Sequence, residues 1–562
     1  MSVTKSELEA AIAAACKELF QADVSAELTR PGEQFGDYAT NVALQLAKQV
    51  GRNPREIGEA LAEKLRSHEK LAKVEVAGPG FLNLTLKDET LLESLAAETA
   101  KVHDGQTILV EYSDTNPFKP LHAGHLYTTL VGDMIARLVE RAGAKTVRLN
   151  YGGDVGLHVG KSMWAIVKYL DGEHPEMLGD IPVTERPAWL GARYVEGNNA
   201  YEENEAAKQE IVATNRKVYE LHSGGDRDSA FAQIYWTCRQ WSYDYFEVLY
   251  NQLQVHPFDR FIPESEVTPL GLKTVQEQLE KDVYQVSDDA VIFDGEKFGL
   301  HKRVFINSEG LPTYEAKDVG LSLTKWQDYH FDESIIITAE EQKQYMQVVI
   351  KSIEQFAPEP AERTKHLTHG FVKLQGGVKM SSRKGNVVTA LEILDSARKA
   401  GEETGTNPSE ETMLAAVKYA FAKNRIGGSD IIYDPKESIA LEGNSGPYLQ
   451  YAHARARSIL AKAKTPNSEL QTPNPEFTEG ERSLVRKLGE YTETVDRAVA
   501  ELMPHHICTY LYELAQEFNR FYEKNRVIGD AREAVRLNLV QRYADTLKNG
   551  LELLGIHAPD KM

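Results

Sequence analysis

His122-Ala-Gly-His125 sets two imidazoles three residues apart at the start of a helical pattern, so both lie on one helical face. Two neutral imidazoles so placed can each donate a hydrogen bond to one anionic group. By itself the pair also fits a metal-ligand pair or a helix start with no chemistry. A second cluster lies far downstream, in Val378-Lys-Met-Ser-Ser-Arg-Lys-Gly-Asn386, where three cations and two hydroxyls stand in a glycine-flanked loop. That composition suits a loop able to close over a triphosphate, although a basic loop is more often a solvated surface.

The elements around both clusters are readable. Thr107–Ser113 is β-prone and leads into a proline-punctuated loop, Asp114–Leu121. Apolar residues then recur at helical spacing (Leu126, Leu130, Met134, Leu138) up to Gly143, before a second β-prone run, Thr146–Asn150. The pattern predicts a βαβ unit whose helix begins at the histidines. Its unpaired N–H groups and the positive end of the helix dipole suit phosphate. Another β-like run, His366–Leu374, precedes the basic loop.

A His-x-Gly-His helix start with a Lys-Met-Ser-Ser loop downstream resembles the class I aminoacyl-tRNA synthetases and, more narrowly, the arginyl-tRNA synthetases. Four further stretches carry that resemblance: Phe35-Gly-Asp-Tyr-Ala-Thr-Asn41, Gly78-Pro-Gly-Phe-Leu-Asn83, Pro312-Thr-Tyr-Glu-Ala-Lys-Asp318 and Gly443-Asn-Ser-Gly-Pro-Tyr-Leu-Gln-Tyr-Ala-His-Ala-Arg455. The implied reaction is ATP-dependent activation of L-arginine to arginyl-adenylate, then transfer to the 3′ end of tRNA(Arg). The alternatives are a class I synthetase for another amino acid and a synthetase-like tRNA-binding protein without catalysis.

The resemblance also implies site residues. His122, Gly124 and His125 would hold ATP together with Lys379 and Met380, and Ser381 and Ser382 would assist catalysis. Ser382 stands where the general class I loop has a second lysine; Arg383, Lys384 or Lys119 can replace that charge, and the sequence does not rank them. A guanidinium is planar, permanently charged and carries five donors, so a selective pocket needs carboxylates. Glu111 and Asp318 are the candidates, with Tyr314 to stack on the cation and Asn116 and Gln342 for the amino-acid backbone end. For tRNA, the carry-over falls on Phe81 and Asn83 at an exposed base, and on Tyr448, Arg455 and Met562 at the anticodon. Magnesium is expected on the ATP phosphates, with no metal ligands of the protein's own. In the resembled family, arginine activation needs tRNA.

At 562 residues the chain exceeds one core. Three cysteines, Cys16, Cys238 and Cys508, are widely spaced, which argues against a disulfide framework and a zinc site. His505, His506 and Cys508 form no ligand spacing. A net charge of −20 speaks against indiscriminate nucleic-acid binding, and no DNA or membrane partner is expected. Most of that charge, about −15, lies between residues 104 and 434, so the two ends are nearer neutral. No long apolar run and no leader pattern appear, so a cytoplasmic protein is expected; a monomer is expected separately, although the sequence does not give the oligomeric state.

The predicted architecture is a multidomain α/β protein. Residues 1–103 read as an α+β module for the tRNA D-loop. Residues 104–395 read as a Rossmann-like class I synthetase catalytic domain with a polar insertion at about 171–299. Residues 396–434 form a helical connection to the tRNA stem, and 435–562 an all-α anticodon-binding bundle. The glycine-rich Asn150–Gly156 is assigned to the active-site floor or to the tRNA end. The aromatic-rich Phe231–Leu253 is assigned to core packing.

Overall fold

The computed structural model describes residues 3–375, 388–405, 407–463 and 476–562. The chain divides into two compact units, His103–Ala440 and a second made of Met1–Val102 together with Leu441–Met562. In chain order the second unit begins with α1 (Val3–Phe20), β1 (Tyr38–Thr40), α2 (Val42–Val50), α3 (Pro54–Leu65), β2 (Leu71–Ala77), β3 (Phe81–Leu86) and α4 (Asp88–Ser94). Its strands form an antiparallel sheet of order β1-β3-β2. The three-residue β1 lies inside a stretch whose sequence carries no strand period.

The other unit is built on a five-stranded parallel sheet with β4 (Thr107–Glu111) at its centre. On one side of β4 lie β5 (Lys145–Gly152) and then β6 (Arg260–Pro263); on the other lie β10 (Glu333–Ala339) and then β11 (Thr364–His369). Helix α5 (Ala123–Arg141) crosses from β4 to β5. Ile108, Leu109 and Val110 are all buried, as expected of a parallel strand covered on both faces. Helix α5 is buried well beyond its expected stripe, with Tyr127, Val131, Ile135 and Val139 also in the core.

After α6 (Leu157–Tyr169) come α7 (Arg186–Glu203), α8 (Glu205–Gly224) and α9 (Ala230–Gln252). They share a core of Val159, Met163, Ile166, Val218, Phe231, Tyr235 and Cys238 with Phe118. Most aromatic residues of α9 are therefore packing residues. The interruption expected at about 171–299 is not complete, because β6 returns to the parallel sheet as its edge strand. Four residues with Ile262 alone buried give no periodic signal, which explains why the sequence conceals that strand.

Helix α10 (Glu264–Leu279) leads to a small antiparallel sheet of β7 (Gln285–Ser287), β8 (Ala290–Phe293) and β9 (Arg303–Ile306). Helix α11 (Tyr314–Tyr329) precedes β10, and α12 (Lys343–Glu354) and α13 (Pro358–Glu362) lie between β10 and β11. Strands β12 (Val372–Leu374) and β13 (Ile431–Tyr433) pair in parallel around α14 (Ala390–Glu403) and α15 (Glu410–Ala422), and α16 (Pro435–Ile439) ends the unit.

The remaining helices, α17 (Gly446–Lys462), α18 (Glu479–Leu488), α19 (Tyr491–Glu501), α20 (His505–Lys524) and α21 (Glu533–Leu553), belong to the unit that holds both termini. Ser445 caps α17 by accepting from Tyr448 N, with Pro447 in the first turn of the helix. Arg482 joins the two ends of the chain within this unit, reaching Asp37 Oδ2 at 2.6 Å, Leu86 O at 3.0 Å and Asp88. The three cysteines are buried and unbridged. No described helix is long and apolar enough to cross a membrane.

Candidate active site

Strand order in the main sheet reverses beside β4: β5 and β6 lie to one side of it and β10 and β11 to the other. The carboxyl ends of strands at such a reversal form a crevice that backbone connections do not cover. The loops leaving β4 and β5 meet there, through Tyr151 N on Asp114 Oδ1 and Gly153 N on Asn116 Oδ1.

The loop from Tyr112 to Leu121 is held in an unusual backbone path, with Ser113, Asp114 and Phe118 at φ of 76°, 48° and 66°. Non-glycine residues keep such conformations only when their surroundings over-determine them. Ser113 Oγ bonds Thr129 Oγ1 at 2.7 Å and Tyr250 OH at 2.8 Å, and Phe118 N donates to Ser242 Oγ at 3.0 Å. Gly153 N donates to Asn116 Oδ1 at 2.9 Å, and a Cβ at Gly153 would stand 2.5 Å from that oxygen. Asn150–Gly156 thus packs against this loop, with Tyr151 N donating to Asp114 Oδ1 at 3.1 Å as well.

At the loop's end the two histidines cap α5 reciprocally. His122 Nδ1 accepts from Gly124 N (3.1 Å) and His125 N (3.4 Å), while His125 Nδ1 accepts from His122 N (3.3 Å). The rings stack with centroids 3.8 Å apart. A Cβ at Gly124 would meet His122 Cε1 at 2.9 Å, so the ring lying against this glycine is the protein's own imidazole. Burial, and then the charge of Lys119, hold His122 down at about 4; burial and His122 hold His125 well below the ordinary histidine value. Both rings are neutral at physiological pH. With each Nδ1 accepting, the remaining proton sits on Nε2 in both rings, which makes two neutral N–H donors.

Lys119 is half-buried over the Tyr194 ring at 4.9 Å. Burial lowers it to about 8, against the raising effect of Glu264. Lys379, Met380, Ser381 and Ser382 lie outside the described residues. The chain on either side of them is tied down. On the carboxyl side, Ala123 N donates to Val388 O at 2.9 Å, Ala390 N to Leu121 O at 3.0 Å, and His122 bridges Thr389. On the amino side, Gln375 N donates to Tyr433 O at 3.0 Å.

Glu111, at the end of β4, is 2% exposed and accepts from Lys325 Nζ at 2.8 Å, a cation that also reaches Ser334 Oγ. Asp318 keeps partial exposure and accepts from Tyr345 OH. Burial, then the charges of Glu111 and Glu264, raise it to about 7 against that hydrogen bond. Tyr314 is 53% exposed at the first turn of α11. Gln342 is exposed in the short helical turn after β10. The Tyr151 hydroxyl is buried without a hydrogen-bond partner among the described residues.

Three residues here carry no motif that singles them out in the sequence: Asp114, Lys325 and Glu264. Glu264 and Lys317 form a buried pair at 2.8 Å. Lys317 stands beside Asp318 in the Pro312–Asp318 stretch, whereas Glu264 comes directly after the concealed strand β6.

In the other unit, Phe81 is 41% exposed and lines, with Asn83, Phe35, Asn41 and Gln45, a hollow of about 540 Å³. Phe81 therefore does not belong to the core. Tyr448 OH accepts from Asn519 Nδ2 at 2.9 Å, and Arg455 lies over the Tyr522 ring at 4.8 Å. The carboxyl-terminal segment is strapped to α17 by His453 on Pro559 O (2.8 Å) and Gln450 on His557 O (2.8 Å), with Met562 54% exposed.

Residues 88–438 match the family model described as tRNA synthetases class I (R), catalytic domain. With the parallel sheet and its histidine-capped helix, that match makes the chain a class I aminoacyl-tRNA synthetase, an enzyme that uses ATP. Residues 6–86 match the arginyl tRNA synthetase N terminal domain and 449–562 the DALR anticodon binding domain. The chain belongs to the arginyl-tRNA synthetase family. An arginine–tRNA ligase of Porphyromonas gingivalis is 31% identical over 99% of both chains, and one of Bacteroides fragilis 29% identical over 97% of this chain and 98% of its own. The Thermus thermophilus arginyl-tRNA synthetase structure aligns with a TM-score of 0.78 at 27% identity, covering 99% of this chain and 100% of that one.

Proposed function

We propose that the crevice beside β4 carries out the family's arginine–tRNA ligase reaction. The arginine carboxylate attacks the α-phosphate of ATP to give arginyl-adenylate as pyrophosphate leaves, and a hydroxyl of the 3′-terminal ribose of tRNA(Arg) then takes the arginyl group with release of AMP. His122 and His125 donate from Nε2–H to phosphate oxygens as charge builds on them, without changing protonation state. Two fixed neutral donors cost no reorganisation at the transition state, which is how such groups accelerate phosphoryl chemistry. The observation that carries this reading is the reciprocal cap, because it leaves both rings with the same outward donor.

Lys119 lies beside this turn and is the described cation suited to the charge that Ser382 lacks. Lys379, Ser381 and Ser382 are assigned to the pyrophosphate side, and Gly124 and Met380 to the nucleotide. Magnesium on the ATP phosphates supplies counter-charge. Asp318 and Tyr314 face the guanidinium, and Glu111 adds negative charge from the strand end, tempered by Lys325. Asn116, its oxygen held by Gly153, offers its amide nitrogen to the substrate carboxylate, beside Gln342. Phe81 and Asn83 meet an unpaired base of the tRNA corner, and Tyr448, Arg455 and Met562 meet the anticodon. Residues 1–103 and 435–562 are thus assigned to tRNA, 104–395 to catalysis and 396–434 to the stem, in a monomeric cytoplasmic enzyme. The test is arginine-dependent pyrophosphate exchange with and without tRNA: exchange that appears on adding tRNA and is lost in His125→Ala supports the reading, and undiminished exchange in the variant overturns it.

A further inference from the structure

We infer that Ser483, Arg486 and Glu493 of the helical bundle are positioning residues for the hollow of the amino-terminal module: they fix the wall that carries Phe35, so that a base held by Phe81 meets a second ring. This rests on the reading of that hollow as a tRNA-base site. The hollow has two walls. Phe81 and Asn83 lie on β3, the middle strand of the antiparallel sheet. The other wall is the segment with Thr29, Pro31 and Phe35. Thr29 N donates to Ala39 O at 2.9 Å and Asp37 N to Leu84 O at 2.8 Å, which ties both ends of that segment to the sheet. Between them, residues 30–36 make backbone-to-backbone bonds only among themselves within the described residues, Phe35 N on Gly32 O at 2.8 Å and Gly36 N on Glu33 O at 3.1 Å.

The bundle supplies the anchors. Ser483 and Arg486 are three residues apart on α18 and so share a face. Ser483 Oγ donates to the Glu33 carboxylate, and Arg486 Nη2 to Pro31 O at 2.5 Å. On α19, Glu493 Oε1 accepts from Arg30 Nη2 at 2.7 Å and from Tyr38 OH at 2.6 Å. Leu484, Val485 and Leu488 are buried, so α18 is itself fixed. Joining the chain's two ends is already done by Arg482, which reaches Asp37, Leu86 O and Asp88 and none of residues 30–36. Phe35 is 50% exposed, so packing alone does not hold its ring. Anchors at Arg30, Pro31 and Glu33 order the turn that carries it, and a ring ordered in advance spares the base that cost on binding.

The test is the dissociation constant of unmodified tRNA(Arg) for the full chain and its variants. Phe81→Ala is expected to weaken binding ~10-fold, the usual effect of losing one stacked base. Arg486→Met is expected to weaken it ~3- to 10-fold, the ordering cost of a side chain. Added to Phe81→Ala, Arg486→Met should cost less than about twofold more, because the wall has no base left to meet. A hairpin copying the anticodon stem and loop should bind Arg486→Met with unchanged affinity. Ser483→Ala deletes one hydroxyl and leaves the packing of α18 in place, so it serves if Arg486→Met does not fold; ~2- to 3-fold weakening is expected, again not additive with Phe81→Ala. Unchanged tRNA affinity in either folded variant, full additivity with Phe81→Ala, or equal weakening of the hairpin would overturn the inference. A Phe81→Ala chain that binds tRNA as tightly as the wild type would overturn the reading of the hollow, and the inference with it.

Discussion

His122 and Thr389, 267 positions apart in the sequence, are paired backbone to backbone as a short antiparallel bridge, with Ala123 N on Val388 O (2.9 Å) and Ala390 N on Leu121 O (3.0 Å). Val388, Thr389 and Ala390 are thereby tied to the turn that presents the imidazoles. The histidine turn and these three residues, which follow the basic stretch in the sequence, share one hydrogen-bonded seam.

Ala390 is the first residue of α14, directly after its cap, Thr389. Proline is well accepted at that helical position, so Ala390→Pro removes the donor to Leu121 without breaking the helix. The expected outcome is a ~3- to 10-fold lower rate of pyrophosphate exchange with an unchanged arginine KM. Loss of one hydrogen bond of ~1 kcal/mol in the seam accounts for that range.

His125→Ala is expected to lower kcat by ~10²- to 10³-fold, the usual loss for one fixed transition-state donor. Since His122 is held at about 4 and His125 well below the ordinary histidine value, the pH profile of kcat should show no histidine limb near 6.5. A limb there that disappears in the variant would mean that the rings work as acids or bases.

Asp318 is raised to about 7 in the ligand-free chain, so it is protonated below that pH, while a guanidinium needs the carboxylate. Accordingly kcat/KM for arginine should fall about tenfold per unit below pH 7 and level off above it. In the fold the sign is opposite: the raised value favours the folded state at low pH, and that contribution is lost as pH rises through 7. Asp318→Asn should abolish the limb, and steady-state kinetics from pH 5.5 to 8.5 would reveal whether it does.

The βαβ unit and the histidine cap were legible because helical periodicity, a flanking apolar strand and a distinctive tetrapeptide coincided within Thr107–Asn150. Glu111 was legible as a carboxylate at a strand end, but its pairing was not, because Lys325 is 214 residues away and marked by no motif. Asp114 went unremarked for a different reason: an aspartate between a strand and a proline reads as a turn former. The clamp between the chain's two ends was equally invisible, since nothing local marks Arg482 as the partner of Asp37.

That clamp has a measurable consequence. Asp37 is 2% exposed and also accepts from Leu86 N at 2.7 Å, so Arg482→Met strands a buried charge with Arg486 at 3.6 Å as its remaining ion-pair partner among the described residues. The expected loss is about 2–3 kcal/mol in denaturant unfolding of the unit holding both termini. Pyrophosphate exchange below that transition should be retained.

The most direct test is aminoacylation of purified tRNA(Arg) by the chain, with each amino acid offered separately in the presence of ATP. The proposed placement of Asp318, Tyr314 and Glu111 at the guanidinium predicts charging with arginine, and lysine at least about a thousandfold poorer in kcat/KM, because an ammonium cannot reproduce the planar fork. Equal charging with lysine, or charging with an uncharged amino acid in preference to arginine, would contradict it.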